Sequence, residues 1–208
     1  MDSEVTTDGS VFTDDVGWTW LPRILTPAQS GALAEACLDK LATIGDGVRV
    51  GDKPWSGTRR LVDLRDRLPE VEQILVLHRD VRAAIEPILG PNPTCSEVIF
   101  RCPFPGFGGQ KLHADDLPLV DPNQTLGLTA IVPLVDFTAD NGATRLIPGS
   151  HRRPDLQRLS GSLDDHPDAI VLTGPAGGMF LFSRHILHSG TRNDSVSPRP
   201  AVQICWTR

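Results

Sequence analysis

Tyrosine is absent from the 208-residue chain. That excludes a tyrosyl radical and a tyrosine acid or base from any mechanism. Basic residues are outnumbered, with 20 Lys and Arg against 26 Asp and Glu and a formal net charge of −6. Such a balance lacks the basic face with which a nucleic-acid binder displaces counterions, so no nucleic-acid partner is expected. Cysteine is sparse. The four, at 37, 95, 102 and 205, include no C-x-x-C pair, which argues against a zinc knuckle or a disulfide framework. Free thiols in a reducing compartment are expected instead. No stretch approaches the roughly 18 apolar residues of a membrane span. Met1-Asp2-Ser3-Glu4 is acidic and has no apolar run after it. The expectation is a cytoplasmic chain without a leader or a membrane association.

Turn chemistry is abundant: 19 Gly and 18 Pro, gathered toward the second half. With 39% hydrophobic and 22% charged residues, the chain reads as a packed, turn-rich β protein rather than a helical bundle. Its length suits one domain over 1–208. Within it, residues 1–93 read as a helical layer with the first strands, and 94–208 as the β core.

Residues 1–20 read as a loose tail leading into a strand that carries Trp18 and Trp20. Thr26-Pro27-Ala28-Gln29 places an N-cap, a first-turn proline and an N3 glutamine in register for a helix start. Leu33, Cys37, Leu38 and Leu41 continue it at helical spacing, and Gly45 stops it. The Gly-rich, charged segment 45–60 reads as a mobile loop. Pro69 opens a second helix. A third spans 79–89, with Val81, Ile85, Ile88 and Leu89 on one stripe and Gly90 as its stop. Beyond Pro93, short apolar runs at 96–101, 126–137, 143–148, 169–173, 178–183 and 200–207 alternate with Gly, Pro, Asn and Asp turns. That spacing predicts a mainly β fold, a double-stranded β-helix (jelly roll, cupin-like) flanked by N-terminal helices.

Two histidines and one carboxylate on one face of a metal leave three positions open, the arrangement of non-haem Fe(II) oxygenases. In sequence this is H-x-D with a distant His, and the chain holds three H-x-D triplets: His78-Arg79-Asp80, His113-Ala114-Asp115 and His166-Pro167-Asp168. Residues i and i+2 diverge on a helix and share a side on a strand. His78 sits at a helix end, so it reads as a capping or solvated residue. His166 lies in the acidic loop after Leu163-Asp164-Asp165, close to the distal candidate. His113 follows the tight Pro105-Gly106-Phe107-Gly108-Gly109 loop and leads into the β region. His188 follows the strand Met179-Phe180-Leu181-Phe182 and precedes a Ser/Gly turn. His113, Asp115 and His188 are therefore the candidate metal ligands. Arg199 stands 11 residues after His188. A guanidinium there suits the distal carboxylate of 2-oxoglutarate, because its planar fork binds carboxylates bidentately and stays charged when buried.

Three segments carry a resemblance. They are Gln110-Lys111-Leu112-His113-Ala114-Asp115, the run Asp136 to His151 with its Asn141-Gly142-Ala143-Thr144-Arg145 and Pro148-Gly149-Ser150-His151, and His188 through Asn193, Ser195 and Arg199. These resemble the phytanoyl-CoA dioxygenase family of Fe(II)/2-oxoglutarate-dependent oxygenases, over about residues 97–208. The resemblance implies an iron triad of His113, Asp115 and His188, and Arg199 on the C5 carboxylate of 2-oxoglutarate. It also implies co-substrate contacts from Gln110 and Thr144. On a regular strand Gln110 would face away from His113 unless a bulge intervenes. Where family members often carry serine two residues after the distal His, this chain has Gly190; either a neighbour such as Ser189 or Thr191 substitutes, or that contact is lost. Arg59 and Arg60 are further basic candidates.

The implied cofactors are Fe(II), 2-oxoglutarate and O₂. The implied reaction is hydroxylation of a small organic molecule with release of succinate and CO₂. Asp115 fills the position that is Gly or Ala in related halogenases, which points to oxygenation rather than halogenation; desaturation, epimerisation and ring formation use the same ligands and stay open. Substrate contacts are expected from 45–60 with Trp55, from 103–109 with Phe104 and Phe107, and from 189–198. Two alternatives stay open: a metal-dependent cupin-like isomerase or hydrolase without 2-oxoglutarate, and a non-catalytic binding protein on the same fold. The primary substrate and the oligomeric state are not legible.

Overall fold

The computed structural model describes residues 12–44, 48–54, 56–116, 125–162 and 166–208. Gly45, Trp55, residues 1–11 and the acidic stretch 163–165 lie outside them. β1 (Trp18–Leu21) leads into α1 (Pro27–Thr43). The capping box forms as expected: the Thr26 hydroxyl accepts from the Gln29 backbone N–H at 3.2 Å, and Gln29 Oε1 accepts from the Thr26 N–H at 2.8 Å. Leu33, Cys37 and Leu41 of α1 are buried.

The segment read as a loop over 45–60 is in part a strand. β2 (Thr58–Leu61) pairs with β3 (Thr94–Pro103) and puts Arg59 and Arg60 on regular structure. The helix expected from Pro69 forms: helical residues begin at Glu70, directly after the proline, and run to Val76, with a π-helical turn over Glu72–Val76. A four-residue α2 (Leu64–Arg67) precedes it, and Leu68, the residue before the proline, lies outside helical geometry. α3 (Arg79–Leu89) buries Val81, Ile85 and Leu89.

The β region follows with β4 (Gly127–Pro133), β5 (Thr144–Leu146), β6 (Ile170–Val171), β7 (Met179–Ser183), β8 (His188–Gly190) and β9 (Ala201–Thr207). A short α4 (Pro154–Gln157) lies between β5 and β6. Six strands form one antiparallel sheet in the order β1-β7-β4-β9-β3-β2, and three form a second in the order β6-β5-β8. The non-sequential order and the facing smaller sheet are those of a jelly roll.

Alternation along the strands decides what faces the site. Val98, Phe100 and Cys102 of β3, Leu128, Ala130 and Val132 of β4, and Val202, Ile204 and Trp206 of β9 share one core cluster with α1 and α3. Burying side chains of this size contributes roughly 1.5–3 kcal/mol each, so the helical layer is bound to the sheet by its apolar face. The opposite face turns inward. There the register lines up Glu97, Cys205 and Thr129 in one row, Ile99, Gln203 and Ile131 in the next, and Arg60, Arg101 and Ala201 in a third. The four cysteines are free thiols, three of them buried. Among the described residues no helix is long and apolar enough to cross a membrane.

Candidate metal centre

His113 lies on an isolated bridge rather than in a full strand, opposite His188 at the start of β8. The His113 N–H donates to the His188 carbonyl at 2.9 Å and the His188 N–H to the His113 carbonyl at 2.8 Å. This reciprocal pair sets the two imidazoles side by side, with ring centroids 4.5 Å apart. The turn expected directly after His188 is instead the strand β8.

Both rings are held the same way. His113 Nδ1 donates to the Lys111 carbonyl at 2.8 Å, and His188 Nδ1 to the Ile186 carbonyl at 3.0 Å. A carbonyl can only accept, so each Nδ1 carries the proton and each Nε2 presents a lone pair. Asp115 is fixed from two directions. Its backbone N–H donates to the Arg184 carbonyl at 2.8 Å, and its Oδ2 accepts from the Thr129 hydroxyl at 2.6 Å. One donor atom from each of His113, Asp115 and His188 lies within 4.8 Å of the others. Burial holds the His188 imidazole below its usual pKa, opposed by Asp115 and helped by His113. The 3.6 Å approach of His188 Nε2 to Asp115 Oδ1 is therefore two acceptors facing a common point, the arrangement a cation completes.

The other two H-x-D triplets do something local. His78 Nδ1 accepts from the Asp80 N–H at 3.3 Å and caps α3, while His166 Nδ1 accepts from the Asp168 N–H at 3.2 Å. In each, the ring is spent on its own turn.

A narrow cleft opens beside the triad. Its walls include His188, Gln110, Thr144, Gly190, Arg199 and Gln203. Arg199 is only 6% exposed, and its Nε–H has no hydrogen-bond partner. Among the described residues it meets no carboxylate; its guanidinium lies over the Phe137 ring, 4.4 Å from the centroid. Burial, with Arg101 next, pulls its pKa down to about 9, so it remains a cation at neutral pH. A buried cation without a counter-ion is costly unless a ligand brings one.

Gln110 faces the cleft despite the strand argument, because residues 107–112 are not a regular strand. Its N–H donates to the Gly190 carbonyl at 2.9 Å and its Oε1 accepts from the Gly190 N–H at 3.1 Å. This explains the glycine. A Cβ on Gly190 would sit 2.8 Å from the Gly108 carbonyl oxygen and 3.0 Å from Gln110 Oε1. Neither expected substitute for the missing serine takes its place. Ser189 Oγ accepts from Arg145 Nε, and the Thr191 hydroxyl donates to the Ala143 carbonyl. Thr144 of β5, paired opposite Gly190 of β8, does line the cleft. Thr129 and Arg101 were not singled out by sequence reasoning. Both owe their place to strand register.

The sequence profile of the phytanoyl-CoA dioxygenase family matches residues 14–201. The dioxygenase aneA of Aspergillus aculeatus is 32% identical over 162 residues, covering 72% of this chain and 53% of its own. The Fe(II)/2-oxoglutarate-dependent dioxygenase nvfF of Aspergillus novofumigatus is 37% identical over 94 residues, 43% of this chain and 30% of its own. The chain thus spans about a third to a half of the length of these relatives. Among solved structures, EvdO2 from Micromonospora carbonacea var. aurantiaca complexed with 2-oxoglutarate superposes with a TM-score of 0.72 at 17% identity, covering 99% of this chain and 92% of that one. With its jelly roll, its paired histidines and a profile match over nearly its whole length, the chain belongs to the phytanoyl-CoA dioxygenase family.

Proposed function

We propose that the chain is a non-haem Fe(II)- and 2-oxoglutarate-dependent oxygenase that hydroxylates a small organic molecule and releases succinate and CO₂. His113, Asp115 and His188 would hold the iron, Arg199 the distal carboxylate of 2-oxoglutarate, and Gln110 and Thr144 its remaining polar atoms. One observation carries the reading: two imidazoles and a carboxylate converge beside a cleft that holds a buried guanidinium, which meets no acid among the described residues. The names of relatives point the same way, since nvfF is called Fe(II)/2-oxoglutarate-dependent and EvdO2 was solved with 2-oxoglutarate.

The residues fit the group. Two neutral imidazoles and one carboxylate suit Fe(II) and leave open positions. Bound there, iron supplies the coupling of O₂ reduction to 2-oxoglutarate decarboxylation and to oxidation of a C–H bond. The protein does the rest. The Lys111 and Ile186 carbonyls hold the imidazole tautomers, and the Thr129 hydroxyl fixes the rotamer of Asp115. Phe182 packs on the His188 ring with centroids 4.8 Å apart, and Ile131 lines the cleft, so water is kept from one side of the site. Helices and sheet share one core, which supports reading the chain as a single oxygenase domain.

A barrel that used a metal alone would have no use for Arg199 as it stands. Losing a charge-assisted pair there costs about 1.5–3 kcal/mol, roughly tenfold to a hundredfold in affinity. Arg199→Ala is expected to raise the 2-oxoglutarate concentration for half-maximal succinate formation by at least tenfold, with Fe(II) affinity retained. An unchanged requirement would remove Arg199 from the co-substrate site.

A further inference from the structure

A second cavity, about 390 Å³, lies against the first. Arg101, Gly108 and Gln110 line both; Arg199 lines only the narrow cleft, and Arg60 and Lys53 line only the larger space. We propose that this outer cavity, walled by Lys53, Thr58, Arg60, Arg101, Phe107 and Gln110, receives an anionic group of the primary substrate, a carboxylate or a phosphate. The inference rests on the oxygenase reading for what happens next to the cavity, but its geometry stands apart from Arg199.

The register of β2 on β3 sets Arg60 directly opposite Arg101, both on the sheet's inner face. Like charges facing each other across a strand pair destabilise the sheet. Lys53 is brought to the same place by two backbone hydrogen bonds with Arg60, at 3.0 and 3.3 Å. Elsewhere the chain answers its arginines with acids: Arg67 meets Asp52 at 2.6 Å and Arg184 meets Asp116 at 2.8 Å. Here it does not. Among the described residues no acidic side chain lines the cavity, and Lys53, Arg60 and Arg101 make no ion pair. The Arg60 Nε–H is buried without a partner. Arg101 has one side-chain hydrogen bond, from Nη1 to Gln203 Oε1 at 3.2 Å. Burial and then Arg60 draw the Arg101 pKa down, opposed in part by Asp115 and Glu97, and an arriving anion would oppose it further.

Three cations around one space, none of them in an ion pair among the described residues, are a site for an oxyanion. Phe107, half-exposed and packed against Gly57, supplies an apolar wall for the body of the molecule. An anionic end held here leaves the rest of the substrate directed along Arg101 and Gln110 toward the triad.

The test uses the full chain loaded with Zn(II) and saturating 2-oxoglutarate, so that the inner cleft is filled and no turnover occurs. Benzoate, phenyl phosphate and neutral benzamide are titrated separately, read by the arginine Nε–H signals in ¹⁵N-edited NMR. Binding of either anion, with the Arg60 signal moving and benzamide failing to bind, is the expected result. Preference between the two anions then assigns carboxylate or phosphate. Arg60→Gln should weaken the preferred anion at least tenfold, and Lys53→Gln, on an exposed loop, should weaken it several-fold if Arg60→Gln fails to fold. Benzamide binding as tightly as benzoate would overturn the proposal. So would anion binding indifferent to both variants, or a loss of 2-oxoglutarate affinity in Arg60→Gln as large as in Arg199→Ala. If 2-oxoglutarate does not bind but the anions still do, through Arg60, the co-substrate reading falls and the subsite stands. If 2-oxoglutarate binds and neither anion does, the subsite falls alone.

Discussion

The Thr129 hydroxyl donates a 2.6 Å hydrogen bond to Oδ2 of Asp115, across 14 residues of sequence and from the inner face of the central strand β4. It occupies one carboxylate oxygen and leaves Oδ1 aimed toward His188 Nε2. A group that orients a metal ligand in this way is typically worth about 10–100-fold in metal affinity. Thr129→Val keeps the shape and removes the hydroxyl. Its Fe(II) affinity, measured by competition with a chelator, is expected to fall by about that factor while thermal stability changes little. An unchanged affinity would mean that the hydroxyl does not orient Asp115.

Gly190 is held to glycine by space. With the Gly108 carbonyl oxygen 2.8 Å from where its Cβ would be, the backbone must move to admit any side chain. Overpacking of this kind costs roughly 1–3 kcal/mol, so Gly190→Ala is expected to lower the melting temperature by several degrees. Thermal denaturation at matched pH decides it, and a variant as stable as its parent would show that the strand yields freely.

Much of this was legible in the sequence, and for physical reasons. The jelly roll announces itself because most of its strands are bounded by Gly, Pro, Asn or Asp; β8, between Leu187 and Thr191, is the exception and reads as a turn. The three H-x-D triplets sort by context, since His78 stands at a helix end, His166 lies in an acidic loop close to His188, and only His113 leads into the β region with a distant partner. The capping box of α1 is entirely local and forms as read. Readings that depended on more than neighbours did less well. Pro69 does start a helical segment, but its turn to π-helical geometry over Glu72–Val76 is not signalled locally. The charged segment 45–60 hides a strand whose pairing is set 40 residues away by β3. The missing serine at Gly190 reads as a lost contact until Gly108 and Gln110 are seen pressed against it. Thr129 and Arg101 are ordinary residues on paper, and they matter only once register places them on the inner face; Arg60 stood out only as one of two basic candidates until register set it opposite Arg101.

His151 couples stability to pH. It sits in a 3₁₀ turn after β5, with Nε2 donating to the Asp14 carbonyl at 2.8 Å and Nδ1 buried without a partner. Gly17 packs so closely that a Cβ there would be 2.3 Å from the ring. Burial lowers the His151 pKa. The unfolded chain, with histidine near about 6.5, therefore binds this proton more readily than the folded one. Stability from this group is complete above about pH 6.5 and is lost as pH falls below it. Urea midpoints taken between about pH 5 and 7 should fall with acid in the parent and less steeply in His151→Gln. Parallel slopes would remove His151 from the acid response.

The convergence of His113, Asp115 and His188 on iron, with 2-oxoglutarate beside it, is tested most directly by absorbance under anaerobic conditions. Fe(II) is added first and 2-oxoglutarate second. The expected result is a visible charge-transfer band that grows to saturation with 2-oxoglutarate in the parent and is absent in His188→Ala. No band in the parent at saturating Fe(II) and 2-oxoglutarate, or a band undiminished in His188→Ala, would contradict it.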